Sequence, residues 1–331
     1  MSISLKTQKM LWGLAAARCA EPNCRRKLVE DSTATDDPTL VGQNCHIIAE
    51  ADTGPRADAD LSIEDRNRYG NLILMCGVHH TIIDNQVETW TIERLNQLKD
   101  EHELWVEQSL GLDKIRLRDD TIYADYIDEW ERLCHLDNWH AWSSHVLGGA
   151  QPRLRVQVDK DIENLRTWLL ARIWPNRYRS LEAAFANFAR VLQDFHNKIW
   201  EHLEANTNGD LIFTRKFYKI ERWDPPLYTR LVSAYEFHID IVSDLMLELT
   251  RAANLICEEV RLHISHSYRI KEGRIVVQRG PDMDLNFRDF VPQYSVDERA
   301  SMSPYPGLDK FYKVRADRDW TIGEGQPAIS T

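Results

Sequence analysis

Two short stretches hold the residues that could do chemistry. Asn44-Cys45-His46-Ile47 offers an imidazole, and Asn71-Leu72-Ile73-Leu74-Met75-Cys76-Gly77-Val78-His79-His80 offers an asparagine, a thiol and two further imidazoles. Breaking a phosphate diester needs an activated water and a counter-charge for the oxygen that departs. A neutral imidazole takes the proton while one divalent ion stabilises the oxygen. His46 is assigned to the proton and His80 to the ion. From Val78 to Asn85 the chain can make about two helical turns, on which residues four apart share a face. Asp84 therefore projects with His80 as a further candidate ligand, and an oxygen donor there suits Mg²⁺ or Mn²⁺.

A second ion follows from the spacing of sulfur and nitrogen. Cys19 and Cys24 form one knuckle-like pair, and Cys76 with His79 forms another, with the finger sequence between them. Cysteine and histidine in paired spacing make a tetrahedral Zn²⁺ site. A small finger buries too little apolar surface to be rigid by itself, so a structural ion would contribute its binding energy to folding.

These residues, in this order, resemble the HNH endonucleases, whose ββα-metal fold holds one divalent ion and one histidine on either side of a scissile phosphate. The resemblance spans roughly residues 8 to 108 and takes in Leu11-Trp12-Gly13, Arg56, Arg66 with Tyr69, Ile83-Asp84-Asn85, and His102-Glu103 before Trp105. It implies that Asn71 orients the loop carrying the base, so that His46, Asn71 and His80 form the catalytic set. In many relatives the residue before the base is an acidic ligand of the catalytic ion. Here it is Cys45, and a thiolate is a poor partner for a hard cation. Cys45 and Asp84 are thus secondary candidates for that ion, and Ni²⁺ joins Mg²⁺ and Mn²⁺ as its identity. The resemblance further implies cleavage of nucleic acid, duplex DNA before RNA, in bacterial anti-phage defence or restriction. The alternative is a non-catalytic zinc module that works by binding; it would need Cys19, Cys24, Cys76 and His79 but not His46, Asn71 and His80.

The elements that position these groups are short. Gly42 to Ala49 reads as a strand ended by Gly54-Pro55, and Asn71 to Cys76 as a second apolar strand. An amphipathic first helix leads to Cys19. Thr91 to Gln108 is helical by pattern, with Leu95, Leu98, His102 and Trp105 on one face. The expected architecture is α+β: an N-terminal finger with flanking helices over residues 1–110, then a mainly helical domain over 111–331 that regulates, recruits or oligomerises. Gly111 to Asp120 reads as the linker. Leu181, Phe185, Phe188, Leu192, Phe195 and Ile199 step by four and three, a seam better suited to internal core than to a coiled-coil dimer. A long helix runs from Leu227 to about Ser265 by the same pattern of apolar residues. Leu211 to Thr214 is a strand, Tyr268 to Gln278 a hairpin around Glu272-Gly273, and the tail from Asp297, with Gly323, Gly325 and Pro327, irregular. Cys134-His135, His140 and His145 do not align on a helix face and read as structural residues.

Charge and composition set limits on partners. The net charge is −11, and residues 1–110 carry 11 Lys+Arg against 18 Asp+Glu, or −7. Backbone affinity for DNA comes from neutralised phosphates, so one protomer is expected to bind weakly and to act through a homo-oligomer or a partner protein. One finger cuts one strand, and a symmetric dimer supplies two of opposite polarity. Arg56, Arg66 and Arg68, with Arg25-Arg26-Lys27, are the basic groups available for a phosphate track. No apolar run has the length of a membrane span. The stretch before Cys19 is brief and broken by Arg18, unlike a signal peptide, and six cysteines in a partly metal-like arrangement fit a reducing, cytoplasmic compartment.

Overall fold

The computed structural model describes residues 3–31, 38–110, 113–149, 151–281 and 284–323. They divide into two units, Met1–Asp128 and Glu129–Thr331. The fold is α+β, with short antiparallel sheets and a C-terminal part built mainly from helices.

In the first unit α1 (Leu5–Leu14) starts at Ser4, whose hydroxyl accepts from Thr7 N. A turn through Ala16 and Ala17 leads to the Cys19 knuckle, then β1 (Val29–Glu30) pairs with β2 (Thr39–Leu40). The central pair is β3 (Gly42–His46) with β4 (Leu72–Cys76), in register Gly42↔Cys76 through His46↔Leu72. Between them lies α2 (Ile63–Arg66). Every residue of β4 is buried, while β3 buries Cys45 and leaves His46 half-exposed. The side-chain alternation of a strand produces that split. Trp12 of α1 donates to Asn44 Oδ1 at 2.8 Å, and a Cβ at Gly42 would stand 2.8 Å from the Trp12 ring. Only glycine fits where helix and strand approach so closely. Helix α3 (Gly77–Asn85) follows β4 without a loop, and α4 (Ile92–Leu110) closes the unit by burying Leu95, Leu98, His102 and Val106. His102 Nε2 donates to Ala15 O at 3.1 Å, fixing α4 to the end of α1.

Helix α5 (Lys114–Leu133) occupies most of the expected linker. Asp113 accepts from Arg116 N at 2.9 Å, an N-cap that starts the helix at once. Gly111 lies outside the described residues. The division between the two units falls inside α5.

The second unit continues with α6 (Trp139–Leu147), β5 (Arg153–Arg155), α7 (Val156–Leu170), α8 (Arg179–Glu201), β6 (Leu203–Ala205), β7 (Leu211–Thr214) and α9 (Pro225–His263). The three strands form one antiparallel sheet in the order β5-β7-β6. The heptad seam of α8 is internal: Leu181, Phe185, Phe188, Leu192, Phe195 and Ile199 are all buried. Trp130 meets Phe185 and Phe188 edge-on, each at 5.6 Å. Asp224 caps α9, with proline in the first turn, and its stretch from Ile241 to Thr250 is buried on all sides.

Two expectations for this unit give way. No hairpin forms around Glu272-Gly273, because buried Asn254 takes the backbone of Ile275, accepting from its N at 2.9 Å and donating to its O at 3.2 Å. Instead β8 (Val277–Arg279) pairs with β9 (Arg288–Phe290). The tail is also better ordered than its prolines and glycines suggest. It forms α10 (Val296–Arg299), started by a capping box at Ser295, and α11 (Leu308–Val314). Arg315 reaches Asp244 at 2.8 Å and Arg318 reaches Glu248 at 2.8 Å, so the tail is tied into the core by buried ion pairs. Gly325 and Pro327 lie outside the described residues.

Candidate functional site

The backbone shapes the first knuckle before any side chain does. Cys19 N donates to Arg26 O at 3.1 Å, closing the loop that carries Cys24, and Ala20 N donates to Leu74 O, fixing the loop to β4. Cys76 ends that strand and caps α3, and His79 follows in the first helical turn. A strand running straight into a helix thus aims a thiol and an imidazole at one point. The ligand atoms of Cys19, Cys24, Cys76 and His79 all lie within 4.8 Å of one another. His79 Nδ1 is 3.2 Å from Cys76 Sγ and 3.5 Å from Cys19 Sγ. Cys19 and Cys76 are buried, and burial pushes the Cys19 thiol up to about 12, against the pull of amides from Cys76 and Glu21. A bound cation reverses that penalty. Three sulfurs and one nitrogen converging in this way can hold a metal ion, and the donor set fits a tetrahedral one.

His46 stands at the end of β3, half-exposed. Its Nε2 lies 2.9 Å from Asn67 Oδ1, and Asn67 Nδ2 donates to Glu50 Oε1 at 3.1 Å. The Glu50 carboxylate can only accept there, so the amide must turn its oxygen to the ring. Nε2 then carries the proton and Nδ1 keeps its lone pair, an assignment made from the hydrogen-bond network. Asn71 does hold the chain after His46. Its Oδ1 accepts from Ile48 N at 2.8 Å, and its Nδ2 donates to Ile48 O and Arg66 O, each at 2.8 Å.

His80 and Asp84 come together on α3, with His80 Nε2 3.0 Å from Asp84 Oδ2. The other ring nitrogen of His80 meets Gln43 Oε1 on β3. Both ring nitrogens thus face oxygen acceptors, Nδ1 the Gln43 amide and Nε2 the Asp84 carboxylate. Arg56 links the two clusters. Its Nε donates to Ile47 O at 2.7 Å, its Nη1 to Ile83 O at 2.6 Å, and its Nη2 meets Asp84 Oδ1 at 2.9 Å. One guanidinium therefore joins the residue after His46 to the helix bearing His80.

No protein-family model matches this chain, and no curated protein matches it.

Several expected site residues sit elsewhere. Cys45 is wholly buried on the core face of β3; its thiol donates to Gln43 O at 3.4 Å, and burial pushes its pKa far up. Among the described residues its sulfur does not converge with His80 and Asp84 as a ligand group. Arg56 and Arg66 are not on a phosphate track either. The Arg56 side chain is 5% exposed with its donors spent on the fold, and Arg66 is 2% exposed, donating to Glu50 O and Asp58 O and meeting Asp52 at 2.7 Å. Both hold loops that would otherwise leave carbonyls unpaired. Arg68 remains at the surface, beside Asp65 at 3.0 Å and Glu64 at 3.6 Å. Arg26 and Lys27 pair with Glu30 and Asp31, and Arg25 lies over the Trp105 ring.

Gln43, Glu50 and Asn67 were not singled out by sequence. Glu50 and Asn67 lie 17 residues apart, and they meet through the loop that Arg66 folds back. His135 pairs with Asp161 at 2.9 Å and Cys134 is buried, in line with structural roles.

Proposed function

We propose that this chain is a metal-dependent endonuclease of the HNH type, hydrolysing phosphodiester bonds in DNA in preference to RNA. What carries the reading is His46 with its tautomer set by Asn67 and Glu50, tied through Arg56 to His80 and Asp84. In this reading Nδ1 of His46 takes the proton from the attacking water. Asn67 and Glu50 hold the ring, and Asn71 holds the loop behind it. His80 Nε2 and Asp84 Oδ2 would hold the catalytic ion. Mg²⁺, Mn²⁺ or Ni²⁺ bound there would supply positive charge to the phosphate oxygens. The ion at Cys19, Cys24, Cys76 and His79 is assigned as structural Zn²⁺ from its sulfur-rich donor set.

The charge balance bears on control. With Arg56 and Arg66 committed to the fold and Arg68 among carboxylates, the arginines expected on a phosphate track leave little charge for DNA. Productive binding then depends on a second copy or a partner protein, with the C-terminal part as the regulatory or oligomerising element. A role in bacterial defence or restriction, in the cytoplasm, goes with this reading. No helix is long and apolar enough to cross a membrane among the described residues.

The test is plasmid DNA and RNA incubated with the purified chain in Mg²⁺, Mn²⁺ and Ni²⁺. Metal-dependent DNA cleavage lost in His46→Ala supports the reading. A folded, zinc-loaded protein inert in every metal and at every concentration favours the binding-module alternative.

A further inference from the structure

A second group of metal-binding side chains lies in the C-terminal unit, and it contains no sulfur. Glu201 and His202 end α8, and His238 projects from α9. One ligand atom from each falls within the same 4.8 Å. The imidazoles of His202 and His238 meet edge-on at 4.9 Å, and the Phe217 ring covers His202 at 4.0 Å.

The hydrogen bonding of this group is incomplete in a telling way. His238 is 4% exposed, and its buried Nε2 has no hydrogen-bond partner among the described residues. Its Nδ1 stands 3.9 Å from Glu201 Oε2, beyond hydrogen-bond range. Buried polar groups are normally paired; the nitrogen that faces Glu201 is Nδ1, and at 3.9 Å it is not hydrogen-bonded to the carboxylate, which leaves room for an ion between them. Glu201 divides its two oxygens: Oε1 takes Lys198 at 2.6 Å, and Oε2 faces His238.

We propose that Glu201, His202 and His238 bind one first-row transition ion of the zinc type, with a fourth position open. Two imidazoles and one carboxylate suit Zn²⁺, Co²⁺ or Ni²⁺ and discriminate against Mg²⁺ and Ca²⁺, which want more oxygen ligands. The bound ion would join the end of α8 to α9. With one carboxylate and Lys198 close by, the site is weaker than a thiolate site and fills reversibly. It stands apart from the nuclease reading, since none of its residues serves that chemistry.

The experiment equilibrates the full chain with Zn²⁺, and in a parallel series Co²⁺, then measures bound metal per chain. Wild type should hold one equivalent more than Glu201→Gln, His202→Gln or His238→Gln. The first two positions are not buried, so they decide the matter should His238→Gln fold poorly. The difference between wild type and variants counts, whatever the total, so occupancy at the cysteine site does not confuse the result. The extra Co²⁺ should show ligand-field absorption without a thiolate charge-transfer band. Equal metal content in wild type and the variants overturns the proposal, and so does an extra equivalent that carries the thiolate band.

Discussion

The side-chain oxygen of Asn67 lies 2.9 Å from Nε2 of His46, and Glu50 fixes the amide that presents it. A ring held by one nitrogen has one direction left for the other. If His46 is the base, Asn67 is its positioning residue, and Asn67→Ala should lower single-turnover cleavage by about 10- to 100-fold, the usual effect of losing an orienting partner. Asn67→Asp keeps an acceptor but sets a second carboxylate where the amide met Glu50, and should not restore the wild-type rate. Equal rates for wild type and Asn67→Ala would separate this contact from catalysis.

Arg56 is predicted to matter for stability, not for DNA affinity. Removing it orphans two carbonyls and one carboxylate; with Asp84 about one-third exposed, the cost in urea unfolding should be about 1–3 kcal/mol. Arg56→Lys should restore little, because an ammonium cannot span three acceptors in a plane. In DNA binding, Arg68→Ala alone among Arg56, Arg66 and Arg68 should reduce the salt slope, by about one if it contacts a phosphate. A salt slope changed by Arg56→Ala and not by Arg68→Ala would reverse these assignments.

The knuckle makes a prediction about folding. Cys24→Ser or Cys76→Ser should lose one equivalent of bound metal and lower the melting temperature of the first unit, as should a strong chelator on the wild type. Wild-type protein that is free of metal and unaffected by chelator would remove the structural ion from the account.

Much of this architecture is readable from residue order, for physical reasons that differ by element. The β3–β4 pair shows itself because β4 is apolar throughout, as a strand buried on both faces is, while β-branched Ile47 and Ile48 and the Gly54-Pro55 turn mark the stretch that contains β3. The α8 seam is visible because its apolar steps follow the helical period. The metal knuckles are visible because sulfur and nitrogen ligands recur in pairs at short range. Asn67 and Arg56 are different. Each looks like an ordinary loop residue, and each acts through backbone or side-chain partners brought close only by the folded loop between β3 and β4. The β8–β9 pair is not legible in residue order, because Asn254, far away in sequence, takes the backbone of Ile275. The start of α5 lies inside a stretch that reads as linker, and the cap at Asp113 is what sets it.

His238 sets a pH dependence of stability. Burial pushes its pKa down from 6.5 to about 3 in the folded chain. Between those values the unfolded chain binds more protons, so stability is complete above pH 6.5 and falls as the pH drops toward 3. The contribution lost between pH 7 and 5 should be about 2 kcal/mol. Urea unfolding without added metal should show a smaller decline over this interval for His238→Gln than for wild type. Identical declines would mean that His238 does not titrate across folding.

The central claim rests on His46, and cleavage by a His46→Ala variant tests it most directly. Supercoiled plasmid should be nicked or linearised by the wild type in at least one of Mg²⁺, Mn²⁺ and Ni²⁺. His46→Ala, with unchanged helix content and metal at the cysteine site, should be slower by about 10²- to 10⁴-fold, the loss expected for a general base. Cleavage by the variant at the wild-type rate would contradict the account.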